Sequence, residues 1–75
     1  METTRYAVVI ERSPTGVGVY VPDLPGCVAV GESEDEAREL IRSAIELHLE
    51  ELRAGGDAVP APSSTVAYVE VKSAA

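Results

Sequence analysis

The sequence has no phenylalanine, no tryptophan, one cysteine, one histidine, and six basic residues against thirteen acidic ones. Each shortage excludes something. A single thiol, Cys27, cannot close an intramolecular disulfide, and such cysteine usage belongs to a reducing, cytoplasmic compartment. One histidine and one cysteine fall short of the three or four ligands of a zinc site, so neither a metal nor a cofactor is expected. The bases Arg5, Arg12, Arg38, Arg42, Arg53 and Lys72 are scattered, and the aromatics are Tyr6, Tyr20 and Tyr68 alone. Phosphate neutralisation and base stacking are both poorly served, so direct nucleic-acid binding is not expected. No apolar run is long enough for a membrane span or a signal peptide.

What remains is a chain of 75 residues with a net charge of −7, read as one domain over 1–75. Its apolar content is mostly small: 11 Val and 10 Ala against 5 Leu and 3 Ile. A chain this short buries only about 60% of its unfolded surface. Self-association, as a homodimer or a dimer of dimers, is the expected supplement. The acidic balance suits a basic protein partner through complementary fields.

Residues 5–12 read as a strand, with Tyr6, Val8 and Ile10 on one face and Ala7 and Val9 on the other. Ser13-Pro14-Thr15-Gly16 makes the turn of a hairpin with a longer loop. Residues 17–21 form the second strand, with Val17, Val19 and Val21 opposite Gly18 and Tyr20. Pro22-Asp23-Leu24-Pro25-Gly26 is a rigid loop, since two prolines and a glycine suit no regular element. Cys27–Gly31 is a short third strand. Ser33 and Glu36 stand at capping-box spacing, and the helix runs to about Ala54 before Gly55-Gly56. Its apolar stripe gathers Ala37, Leu40, Ile41, Ala44, Ile45, Leu47, His48 and Leu52, with Leu49 at the edge. Residues 58–64 are an extended connector, and 65–72 read as a fourth strand. The order predicts an α+β fold, β-β-β-α-β: an antiparallel sheet of three to four strands with one helix packed on one face. The second sheet face, carrying Ala7, Val9 and residues such as Tyr20 or Ala29, then needs a cover.

Little chemistry is legible. Cys27 and His48 are the only nucleophile–imidazole candidates, and nothing in their spacing brings them together. Cys27 reads as a small buried hydrophobe. His48 reads as a neutral, hydrogen-bonded core or interface histidine, with a pH-sensitive interface contact as the alternative. Asp23, beside proline, reads as a cap on its own backbone. No strand-borne acid cluster or phosphate loop exists, so no catalytic residue is assigned and the chain is not expected to be an enzyme. A minimal hydrolase using Asp23 or His48 is the weakest reading.

The run Pro22-Asp23-Leu24-Pro25-Gly26-Cys27, then Gly31-Glu32-Ser33 and Glu36-Ala37, resembles the signature of HicB-like antitoxins. Ala44-Ile45-Glu46-Leu47-His48-Leu49, Leu52, Gly56 and Pro60-Ala61-Pro62-Ser63 extend the resemblance over residues 5 to about 72. It implies a fold like a truncated ribonuclease H core. It also implies a role: binding and silencing a small basic mRNA-cleaving toxin, HicA, by covering its active site. Many such antitoxins carry a C-terminal DNA-binding segment, and this sequence is read as lacking one. An orphan homo-oligomeric module of the same fold is the competing reading. Ala7, Val9, Tyr20, His48 and Leu49 are the candidate self-association or partner surface, on the outer sheet face or the wide helix stripe.

Overall fold

The computed structural model describes residues 3–74. Three strands and one helix follow in chain order: β1 (Val9–Ser13), β2 (Gly16–Tyr20), β3 (Val28–Gly31) and α1 (Glu34–Ala54). The sheet is antiparallel throughout, in the order β1-β2-β3. The β1–β2 connection is tighter than the expected longer loop. Ser13 pairs with Gly16, leaving only Pro14 and Thr15 between the strands. The Ser13 hydroxyl donates to the Gly16 carbonyl at 3.1 Å and accepts from the Thr15 amide at 3.3 Å, so one side chain closes the turn.

Cross-strand register sorts the side chains. Ile10, Val19 and Ala29 form one row and face the helix; Val9, Tyr20 and Val28 form the neighbouring row and face away. The core consists of Val17, Val19, Val21, Leu24, Cys27, Ala37 and Ile41, with Tyr6, Val8, Ile10, Ala29, Ala44, Ile45 and Leu49 packed around it. Ala29 therefore lies inward, not on the outer face. The outer row ends in Val28, and Val30 stands beside it; these two are 63% and 71% exposed.

α1 begins as the capping spacing predicts. Ser33 Oγ accepts from the Glu36 amide at 3.1 Å, while the Glu36 carboxylate accepts from the Glu32 amide at 2.8 Å. At the other end the Asp57 amide donates to the Leu52 carbonyl and the Gly56 amide to the Arg53 carbonyl, with Gly56 at φ 74°. This is a Schellman stop, and Gly56 is the residue that takes the left-handed turn. The helix sits against the sheet where both backbones are bare. A Cβ on Gly31 would stand 2.8 Å from the Ala37 amide nitrogen, and Ala37 is fully buried. That close approach tilts the buried stripe toward Ala37 and Ile41. Leu40 and Leu47, expected on the apolar face, are exposed, and Leu49, expected at its edge, packs against the core.

The expected fourth strand does not form. Residues 57–74 contain no regular element, and Tyr68, Val69 and Val71 are more than four-fifths exposed. Strand propensity describes fit to a half-buried pleated surface. Without a ladder, this segment has no such surface to fit.

Candidate partner-binding surfaces

The loop between β2 and β3 is held from within. The Val21 amide donates to the Cys27 carbonyl, Leu24 to Val21, and Cys27 to Leu24, all within 3.1–3.2 Å. These bonds turn Leu24 and Cys27 inward, and Leu24 is the most deeply buried large side chain, at 0% exposure. Pro22, Pro25 and Gly26 are left on the surface. Gly26, at φ 84°, supplies the positive backbone angle that brings the chain back into β3.

Asp23 does not cap its own backbone. Its carboxylate accepts four hydrogen bonds from forty residues further on: from the Ser63 and Ser64 amides at 2.9 and 3.0 Å, and from their hydroxyls at 3.0 and 2.7 Å. The Ser64 amide, then the Ser63 amide, holds the Asp23 carboxyl well below the usual carboxylate range. A second tether joins the Tyr6 hydroxyl to the Pro60 carbonyl at 2.5 Å. Together they root the C-terminal segment beside the start of β1. Sequence spacing alone held no sign of either tether.

Cys27 and His48 come closer than their spacing implied. Both line a shallow depression of about 160 Å³, with Val28, Leu47 and Glu51 nearby. The thiol is nevertheless a poor nucleophile, because burial pushes it above its ordinary value and favours the neutral form. His48 is half-buried and enters no side-chain hydrogen bond among the described residues.

The five candidate surface residues fall in different places. Val9 and Tyr20 are opposite one another on the outer sheet face, beside Val28. Ala7 lines a cleft between the start of β1 and residues 62–66. His48 lies near Leu47 on the flank of α1, and Leu49 belongs to the core side. Val28 and Val30 complete the outer face. Their shared face was readable from the period-two pattern, but its exposure was not.

Charge is also divided. α1 carries seven acids against Arg38, Arg42 and Arg53. Of two clefts along the N-terminal segment and β1, one is lined by Arg5 and the other by Arg12, Glu34 and Arg38, with Arg12 paired to Glu34. No group of three potential metal ligands occurs among the described residues. No helix among them is long and apolar enough to cross a membrane.

An acidic helix laid on a short antiparallel sheet, with apolar side chains open on the sheet's other face, defines a small α+β domain. Residues 6–74 match the HicB_like antitoxin of bacterial toxin-antitoxin systems, and the chain belongs to that family. A UPF0150 protein of Helicobacter pylori is 41% identical over 64 residues, covering 84% of this chain and 89% of the relative. One from Archaeoglobus fulgidus is 47% identical over 47 residues, covering 61% and 68%. One from Synechocystis is 42% identical over 53 residues, covering 69% and 77%.

Proposed function

We propose that this chain neutralises a small basic, mRNA-cleaving toxin of the HicA type by binding over its active site, with no chemistry of its own. The observation that carries the reading is the family match across residues 6–74. The acidic helix supports it. Glu39, Glu46 and Glu50 project into solvent from α1, and the whole chain carries −7. Such a field speeds encounter with a basic partner and disfavours acidic ones. The test is co-expression with a small basic toxin of the HicA type from an adjacent reading frame. Growth is restored and a complex persists at micromolar concentration, weakening as salt rises. Continued growth arrest with no complex would remove the reading.

A second reading has one observation in its favour. Val9, Tyr20, Val28 and Val30 share the outer side of the sheet, and Tyr20, Val28 and Val30 are exposed among the described residues. An orphan module that only self-associates, as a dimer or a dimer of dimers, would hide that face. A genome neighbourhood without a small basic reading frame would favour it.

A further inference from the structure

α1 is divided lengthwise by charge. At about 100° per residue, Arg38, Arg42 and Arg53 lie about 120–180° around the helix from Leu47, so its bases share one flank. The opposite flank carries Leu40 and Leu47, two turns apart, which are 42% and 57% exposed. Glu51 follows one turn after Leu47, with Glu50 beside it. Both glutamates are exposed, and neither enters an ion pair among the described residues.

This leucine flank borders β3. Leu47 and Glu51 share the shallow depression of about 160 Å³ with Cys27, Val28, Ala44 and His48. Its walls are mostly apolar, it holds one carboxylate, and no arginine or lysine lines it. The two clefts on the β1 side have the other sign. Arg5 lines one; Arg12, Glu34 and Arg38 line the other, where Arg12 takes up Glu34. Arg5 and Arg38 are left to repel a cation there.

Lysine and arginine lay an aliphatic stem along apolar surface and keep the charged head in water. The depression suits both halves of such a side chain, and its volume admits one of them, not a further strand or helix. We infer that a basic partner anchors on this chain in the depression between β3 and α1. One lysine or arginine of the partner lays its stem against Val28, Ala44 and Leu47 and brings its head group to Glu51. Leu40 continues the apolar ridge under the partner's neighbouring residues. The inference rests on the toxin reading for the partner's identity, and adds to it the place and the contact.

The full chain and a HicA-type toxin from an adjacent reading frame are tested by surface plasmon resonance. Leu47→Ala and Glu51→Gln each weaken the complex about tenfold, mainly through faster dissociation. Glu46→Gln removes the same charge from the same helix, about 140° around it from Glu51. It changes the affinity by about threefold or less, through slower association. Thermal unfolding of the three variants stays native, since all three side chains are exposed. A native complex indifferent to Leu47→Ala or to Glu51→Gln overturns the anchor and leaves the toxin reading standing. Equal weakening by Glu46→Gln and Glu51→Gln also overturns it, since the field of the whole helix then accounts for the binding. No complex between the native chain and the toxin removes the toxin reading, and the anchor with it.

Discussion

Two regions of this molecule have similar apolar content and opposite fates. Every buried residue of the core lies between Val17 and Ile41. Residues 57–74 contribute none, although they include Val59, Val66, Val69 and Val71. The difference is the partner surface. In the body, β2 has a strand on each side and a helix above it. In the C-terminal segment, a strand-like sequence has water on nearly every side. Apolar composition therefore does not order a segment by itself; it does so where another surface removes it from water.

The contrast can be broken most sharply at Leu24. Leu24→Ala opens a cavity under the loop and is expected to cost about 2–5 kcal/mol, read by urea denaturation. In so small a domain that approaches the whole stability. Next comes Gly31→Ala. The new methyl meets Ala37 backbone that cannot swing away, so roughly 1–3 kcal/mol is lost. Thermal denaturation of this variant beside Gly26→Ala, whose Cβ would meet nothing within 4 Å, separates contact from backbone strain. Ser33→Ala removes the helix cap at about 1 kcal/mol, with Ser33→Asp restoring it.

The smallest effect on the body, and the largest on the tail, is expected from Asp23→Asn. Amide exchange at Ser63 and Ser64 should rise to that of a free chain while the melting temperature hardly moves. The latch has a matching pH dependence. Its carboxyl is depressed by bonds that favour the charged form, so its contribution is present above the ordinary carboxylate value. It is lost only as pH falls through the lower folded value. Protection of the two serine amides should therefore survive mild acid and vanish only in strong acid. Loss of protection near pH 5 would show that the latch does not form in solution.

How much of this was legible depended on range. The helix start at Ser33 and Glu36, its stop at Gly56, and the facing of Val17, Val19 and Val21 follow from local spacing, and the structure agrees with each. Periodicity also put Val28 and Val30 on one face. It could not say that this face is the open one, because strand phase is set by which neighbour is small enough to admit the helix. Gly31 against Ala37 makes that choice. The same contact rotates Leu40 and Leu47 outward and Leu49 inward. The Asp23 latch was not legible at all. It joins residues forty positions apart through side-chain bonds to two serines, and neither residue type announces such a partner.

The confinement of the core to Val17–Ile41 bears on how the chain is born. A core drawn from so short a stretch of chain costs little in loop closure. Synthesis at roughly 5–20 residues per second takes on the order of a second to deliver the segment after Gly56. The core therefore draws on nothing that this last stretch delivers.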